Sequence, residues 1–355
     1  MKLKNILSII CCLVAMASCS MEDDMMGNSD SGQLTKDTYL SVKVATADVI
    51  TKAGESHPAG EATYGSVNNC YYFILDGNGE VLNRRYVDST PSSINFLVKM
   101  NQGASVLAVV NCDDLKNELD TKADKAGIMN VVSSDAGKMV KVGEESISWT
   151  GITGSPSTAP TTESTVNVSI LVKEITALVS FDGFYVRYKD NIYDTKVRLT
   201  AITLSNLKGS VTLGGTEGAL SGTKDILTNG YLIPVALKNE ATINNYKDES
   251  SKLDAQGLET ASTIENLRTS VFPNATGDDH LTMTLTFTVN GRVDTRTYVI
   301  NPLRDTNTTG HNYVQAGYWY KMNVILNITA AGIESLEVVP WNEVLIGGTN
   351  GVEFK

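Results

Sequence analysis

Few side chains in this sequence have the types and spacing that catalysis or metal binding requires. The three histidines, His57, His280 and His311, lie far apart, and no cysteine–histidine spacing resembles a zinc site. The sequence has no Gly-rich phosphate loop, no Gly-x-Ser-x-Gly elbow and no His-Glu-x-x-His motif. Asp and Glu are plentiful, so a glycosidase-type carboxylate pair stays open, but turns and polar strand faces account for most of them. We predict a non-enzymatic protein without catalytic residues, metal ligands or a cofactor.

A turn-like segment, residues 76–80, carries three side chains that could bind calcium. Asp76, Asn78 and Glu80 present oxygen atoms, but the later ligands of an EF-hand loop are missing. Asp76-Gly77 lies between two apolar runs, which is typical of a β-hairpin turn. The hairpin is the simpler interpretation, and calcium binding is the alternative.

An aromatic run near the C-terminus, residues 318–320, could stack on a sugar ring. In a strand, alternation places Tyr318 and Tyr320 on one face and Trp319 on the other. At least part of the run must then face a core, which favours structural packing over ligand binding.

The composition is that of an acidic globular chain. Of its 355 residues, 42% are hydrophobic and 19% are charged, enough for two or more domains with sizeable cores. Lys and Arg total 29 against 40 Asp and Glu, a formal net charge of −11. Nucleic acids and anionic lipid headgroups bind basic surfaces, so this balance argues against both as partners.

The N-terminus predicts export. A short basic segment, residues 1–5, precedes an apolar stretch, residues 6–16, that is too short to span a bilayer. The sequence Met-Ala-Ser-Cys at residues 16–19 resembles the lipobox of bacterial lipoproteins, so that residues 1–18 would be the signal peptide and Cys19 would be diacylated. The acidic run at residues 20–24 resembles the surface-export tags of Bacteroidales lipoproteins. An ordinary secretory signal with a chance cysteine is the alternative.

Two cysteines, Cys70 and Cys112, lie beyond the signal and the lipobox. Both sit beside strand-like segments of the same half of the chain, so a disulfide is one interpretation. Two buried free thiols are the other, because cysteine is a small apolar core residue.

Alternating hydrophobicity predicts a mostly β fold. In the first predicted strand, Leu40, Val42 and Val44 share one face. Further strands are predicted over 70–75, 94–100, 106–110, 166–186, 197–204, 281–289, 295–300 and 318–328, and Asn290-Gly291 predicts a hairpin turn. One helix is predicted over residues 113–125. Many short strands separated by turn signals indicate stacked β-sandwiches, with a domain boundary after residue 172.

Several segments, taken in order, resemble the fimbrillins of Bacteroidales type V pili. They are the lipobox with its strand and the loop at residues 51–54, then residues 104–111, 168–179, 314–324 and 339–341. Residues 168–179 are similar to the family's Leu-x-Arg-x-x-Ala-Lys segment, with Lys173 in place of Arg and Leu178 in place of Lys. The Arg-Asn pair before the family's late strand is replaced here by Ala316-Gly317.

The resemblance implies a fold and an assembly mechanism. The fold would be two tandem transthyretin-like β-sandwiches, residues 53–172 and 173–355, with one short helix in the first. Residues 19–52 would be a propeptide that reaches the outer membrane as a lipoprotein. A trypsin-like protease would cut between Lys52 and Ala53 and so remove the first strand. An extended C-terminal tail of another subunit would then fill the vacated groove.

The C-terminal tail has a pattern that suits this role. Its apolar side chains, Val344, Ile346, Val352 and Phe354, share one face if the tail is extended. A slot with unpaired backbone groups accepts such a strand by β-augmentation. Two glycine-containing pairs, at 347–348 and 350–351, interrupt the segment, so two short arms are an alternative to one strand. A tail paired within its own domain is the other alternative.

The function implied by the resemblance is that of a structural pilin. The chain would be a shaft subunit, its partners other pilin subunits, and its mature form would serve adhesion in fimbriae on the cell surface. A tip or anchor subunit is one alternative. The other is a monomeric surface lipoprotein that stays acylated at Cys19 and binds a glycan, a host ligand or a bacterial ligand.

Overall fold

Strands form in this chain where β-branched and aromatic residues alternate with polar ones, and turns form at Gly, Asn and Asp. The computed structural model describes residues 37–46, 66–89, 93–152, 165–188, 197–227, 231–233, 235–237, 254–256, 267–302, 312–329, 332–338 and 342–345. These ranges belong to one unit, residues 36–355. No helix within them is long and apolar enough to cross a bilayer.

The first half is built on one seven-stranded sheet. Its elements are β1 (Asp37–Thr46), β2 (Cys70–Leu75), β3 (Val81–Val87), β4 (Ile94–Lys99), β5 (Ser105–Val110), α1 (Lys116–Leu119), α2 (Lys125–Met129), β6 (Val132–Ser133), β7 (Lys141–Ser146) and β8 (Thr165–Glu174). Short 3₁₀ turns over Asp113–Leu115 and Ala136–Lys138 accompany the helices. The sheet order is β3-β2-β5-β7-β8-β1-β4.

This sheet folds over on itself where β7 meets β8. Folding over brings the apolar faces of β1, β4 and β8 against those of β2 and β5. The side chains between them form the first core, which includes Leu40, Val42, Tyr72, Ile74, Phe96, Val106, Val168 and Ile170. The first half is therefore a sandwich made from a single continuous sheet.

A buried ion pair lies at the fold-over. Nζ of Lys141 is 2.9 Å from Oε1 of Glu174, and the two side chains are 3% and 5% exposed. Burial raises the pKa of Glu174, and the nearby ammonium group offsets part of that rise. Further along β7, Gly143 lies against the Leu171 backbone, where a Cβ has no room. The pair and the glycine together favour one register of β7 against β8.

The second half is a sandwich of two six-stranded sheets. Its strands are β9 (Ala177–Tyr188), β10 (Val197–Ser205), β11 (Val211–Thr212), β12 (Lys224–Leu227), β13 (Tyr231–Ile233), β14 (Val235–Leu237), β15 (Asp254–Gln256), β16 (Arg268–Val271), β17 (Thr282–Val289), β18 (Arg292–Val299), β19 (Tyr318–Thr329), β20 (Gly332–Val338) and β21 (Asn342–Leu345). One sheet has the order β15-β13-β10-β17-β18, with β12 beside β10. The other has the order β14-β9-β19-β20, with β16 beside β9 and β21 beside β19. The second core between them includes Phe181, Phe184, Leu199, Phe287 and Tyr320.

The two halves share a third core. It covers the outer face of β2 and β5 and is formed by Tyr71, Phe73, Leu107, Leu119, Ile128, Val211, Leu213 and Phe272. The last three of these side chains come from the second half, and β11 pairs with β6 of the first half. Continuous apolar packing therefore joins the two sandwiches.

The mostly β fold expected from the sequence is confirmed. Both predicted hairpins are present, since β2 pairs with β3 and β17 pairs with β18. Asn290 and Gly291 have φ angles of +50° and +83°, the left-handed values that a type I′ turn requires at both central positions.

The helix predicted over residues 113–125 was wrong in extent. The helical segment stops after Leu119, where the Tyr71 hydroxyl donates a hydrogen bond to the Asp120 carboxylate and ties that turn to β2. A new helix, α2, begins after Asp124, whose Oδ1 accepts a hydrogen bond of 2.6 Å from the Gly127 amide. A good N-cap inside the predicted span therefore starts a second helix. The first sheet continues to Glu174, just past the predicted boundary after residue 172, and β9 of the second half begins at Ala177.

Candidate functional site

The candidate site is the position of β1 between β8 and β4. β1 runs parallel to β8 over eight residue pairs, from Tyr39 with Thr165 to Thr46 with Val172. On its other side it runs antiparallel to β4 over six pairs. β1 is therefore an internal strand, although it is the first element of the described chain.

The side chains of β1 fill the first core. Leu40 and Val42 are fully buried, and their backbone neighbours across the sheet are Phe96 and Ile94 of β4. Val44 is half-buried and packs against the same core. Lys43, on the opposite face, is exposed. The alternation read from the sequence therefore puts the apolar face of the strand into the sandwich.

β4 and β8 depend on β1 for part of their backbone pairing, and the sequence did not reveal this dependence. Within the part of the chain that the structure describes, β1 is the only strand paired with β4. Without β1, β4 and β8 would both present unpaired backbone groups, and a groove lined by Ile94, Phe96, Val166 and Val168 would open between them. The alternating patterns of residues 94–98 and 166–170 predict the apolar faces that line this groove. They do not indicate which strand lies between β4 and β8.

The predicted processing residues lie outside the described ranges. These are Cys19, Lys52 and Ala53; β1 ends at Thr46, and the described chain resumes at residue 66. One earlier basic residue can be placed: Lys43 lies within β1, opposite Ser169 of β8. A protease needs extended, unpaired backbone, so the paired backbone at Lys43 is a poor substrate.

The predicted donor tail is placed in part. Val344 lies in β21, where it pairs with Trp319 of β19 in the same chain. Residues 342–345 therefore have the own-domain pairing that was one alternative for the tail. Ile346, Val352 and Phe354 lie outside the described residues.

The turn with calcium-binding potential uses its carboxylate internally. Oδ1 of Asp76 accepts hydrogen bonds of 2.8 Å from the backbone amides of Asn78 and Glu80. These bonds close the β2–β3 hairpin and give the Asp76 carboxylate a structural role in the turn. Among the described residues, no group of three or more His, Cys, Asp or Glu side chains could hold a metal ion.

The aromatic run is part of the core, as packing arguments predicted. Tyr320 is fully buried, and its hydroxyl accepts a hydrogen bond of 2.9 Å from the Gln315 amide. Nε1 of Trp319 donates to Oγ of Ser180 at 2.8 Å, and Nζ of Lys321 lies 3.9 Å from the Trp319 ring. These rings are not available as a sugar-binding platform.

The two cysteines left open by the sequence are both free and buried. Cys70 belongs to the first core and Cys112 to the third, on opposite faces of the same sheet. Burial raises the pKa of the Cys70 thiol to about 12 and also raises the pKa of Cys112. Both thiols are therefore inert packing groups.

Comparison with known proteins supports the fold. No family model and no curated protein matches the sequence. A candidate cell adhesion protein from Bacteroides eggerthii aligns over 90% of this chain and 98% of its own, with a TM-score of 0.55 and 14% identity. Another, from Parabacteroides distasonis, aligns over 90% and 99%, with a TM-score of 0.54 and 13% identity.

A fimbrillin from Porphyromonas gingivalis aligns over 88% of this chain and 99% of its own, with a TM-score of 0.45 and 13% identity. That likeness is weaker, so the fold assignment rests on the two adhesion proteins. At these identities the shared property is the fold. The chain has a mostly β, sandwich-type fold, shared with these two candidate cell adhesion proteins of the Bacteroidales.

Proposed function

We propose that this chain is a structural subunit of a cell-surface pilus. Its N-terminal segment, residues 19–52, would deliver it to the outer membrane through lipid at Cys19. Cleavage between Lys52 and Ala53 would then free β1, and the C-terminal tail of another copy would occupy the groove between β8 and β4. The partners would be further copies of the same chain.

One observation supports this proposal above the others. β1 is internal to its sheet, yet its covalent connection to the remaining strands is a single segment, residues 47–69. A single cut in that connection separates an internal strand from everything it pairs with. The groove left behind offers two rows of unpaired backbone groups and the sites of two fully buried side chains, Leu40 and Val42. Such a groove binds an extended strand of matching pattern.

The own-chain pairing of β21 shortens the proposed donor. The segment beyond Leu345 is residues 346–355, ten residues, which is also the length of β1. Val352 and Phe354 are two residues apart, as are Leu40 and Val42, so an extended tail could place them in the same two sites. Ile346 would mark the start of the donor strand.

The proposal is tested on the unacylated precursor, the chain from Ser20 onwards. Trypsin should release the N-terminal segment, and sequencing of the product should find Ala53 as its new first residue. Polymers should then form, as measured by light scattering and electron microscopy. Lys52→Ala should block both steps, while the matched control Lys36→Ala should leave them unchanged. Polymers formed by Lys52→Ala at the control rate would contradict the proposal.

Deletion of residues 346–355 tests the donor independently of the protease. The truncated chain should fold, be cut at Lys52 and stay monomeric, because its own sandwiches keep all their strands. Mixed with the intact chain, it should still accept a donor and end the growing polymer. Polymerisation of the truncated chain alone would defeat the strand-replacement mechanism.

Three alternatives, a tip subunit, an anchor subunit and a monomeric lipoprotein, predict other outcomes. A tip subunit would be processed and accept a donor strand but not polymerise by itself. An anchor subunit, or a monomeric ligand-binding lipoprotein, would keep its lipid. N-terminal sequencing and lipid analysis of protein shed from cells therefore separate the anchor and the monomeric lipoprotein from a shaft subunit. The polymerisation assay on the processed chain separates a tip subunit from a shaft subunit.

A further inference from the structure

A cavity of about 380 Å³ lies where the two sandwiches meet. Its apolar lining comes from both halves and includes Met129, Val142, Ile175, Leu213, Pro273 and Ala316. A cavity of this volume is at the lower end of the range that holds small ligands, so it can take a few apolar side chains.

Both carboxylates at the wall of this cavity already have partners, and the third charged residue of the lining, Lys173, is exposed to solvent. Glu174 is paired with Lys141. Glu217 accepts hydrogen bonds from the backbone amides of Ala275 and Thr276, at 2.8 and 3.4 Å. Neither carboxylate needs a ligand, so the chemistry that the cavity offers is burial of apolar surface.

The C-terminal tail leaves its domain at the rim of this cavity. β21 runs antiparallel to β19, and its last residue, Leu345, pairs with Tyr318, the first residue of β19. Gln315 and Ala316, which come just before that point, line the cavity. The last described residue of β21 therefore lies beside two residues of the cavity lining.

We propose that, before assembly, the cavity holds residues 346–355 of its own chain, with Phe354 as the anchoring side chain. Asn350-Gly351 is a strong turn signal, so the chain can pass the rim, reverse and bring Val352 and Phe354 back to it. An extended segment of this length spans roughly 30 Å. A buried aromatic anchor in an apolar pocket is the usual centre of such a contact.

This docking rests on the cavity and on the register of β21, and it does not require that the tail also acts between chains. If both hold, the tail is stored in its own subunit until a neighbour's groove opens. Polymerisation would then include a step in which the tail leaves the cavity, and a variant that cannot store its tail would assemble faster than wild type.

Disulfide trapping tests the proposal on the unprocessed chain from Ser20 onwards. Ala316→Cys combined with Lys355→Cys, which keeps the Phe354 ring, should give a cross-link within one chain under mild copper-phenanthroline oxidation, at a yield independent of protein concentration. The matched control pairs Lys355→Cys with Asn290→Cys, in the β17–β18 turn at the other end of β17 from the cavity. The native thiols at Cys70 and Cys112 are buried and should not interfere.

Equal yields for the two pairs would mean a tail with no preferred site and would overturn the proposal. Cross-linked dimers would place a second copy's tail in the cavity and would also overturn it. A second measurement uses the dye 1-anilinonaphthalene-8-sulfonate: deletion of residues 346–355 should increase its fluorescence at least several-fold by emptying the cavity, and unchanged fluorescence would count against the docking. Cross-linking without polymerisation after trypsin would refute the proposed function alone, and polymerisation without cross-linking would refute this inference alone.

Discussion

Leu40→Ala tests how strongly the first sandwich depends on β1. Leu40 is fully buried in the first core, and its backbone pairs with Phe96 on one side and Val166 on the other. Truncating a leucine in such a place lowers the free energy of unfolding by about 2–5 kcal/mol, because burial is lost and a cavity remains. The matched control, Lys43→Ala, changes an exposed residue of the same strand and should cost less than about 0.5 kcal/mol. Urea denaturation of the unprocessed chain measures both.

The same substitution should have a second effect after cleavage at Lys52, when β1 is held by non-covalent contacts alone. A loss of 2–5 kcal/mol corresponds to retention of the strand that is weaker by about 30-fold to 4,000-fold. Native mass spectrometry of freshly cut protein gives the fraction of subunits that still carry the released segment. Equal retention in Leu40→Ala, Lys43→Ala and wild type would refute the view that core packing holds β1 in place.

Three further substitutions or reagents test the supporting structure. The Tyr71 hydroxyl holds the pKa of Asp120 below its ordinary value, so Tyr71→Phe should raise that pKa in an NMR titration and reduce the stability lost as the pH falls through it. Cys70 and Cys112 should not react with Ellman's reagent until the chain is unfolded. Gly143→Ala should lower the unfolding free energy by about 1–3 kcal/mol, measured by urea denaturation, because its Cβ meets the backbone of β8.

Local pattern predicted the strands well because each strand's alternation is written in its own residues. The apolar face of β1 was visible from residues 40–44, and Asn290-Gly291 specified its hairpin because both positions need a positive φ. For Cys70 and Cys112, the sequence left two interpretations, a disulfide or buried free thiols. For Trp319 it also left two, stacking on a sugar or packing in the core. Their burial depends on neighbours that are distant in sequence.

The partners of β1 could not be predicted, because pairing is a long-range property. Residue 40 lies beside residue 166 in a parallel ladder, and no local signal selects that strand among the many with the same alternation. The own-chain pairing of β21 is similar. Its register on β19 is offset by one residue from that of β20, across residues 339–341, and such an irregularity leaves no simple pattern. The predicted extent of the helix was wrong for a local reason. Aspartate is more favourable as an N-cap than in the interior of a helix, and Asp124 caps a second helix.

The internal position of β1 sets what any replacement strand must supply. Leu40 and Val42 together contribute roughly 3–6 kcal/mol through burial. A strand without apolar side chains at those two sites would leave the apolar lining of the groove exposed to water. A strand that paired with β8 alone would also leave β4 as an isolated strand, so a replacement has to bond on both sides. A contact at the sheet edge cannot meet both conditions. The groove therefore selects an extended segment with two apolar side chains two residues apart, and within residues 346–355 the pair Val352 and Phe354 is the one with that spacing.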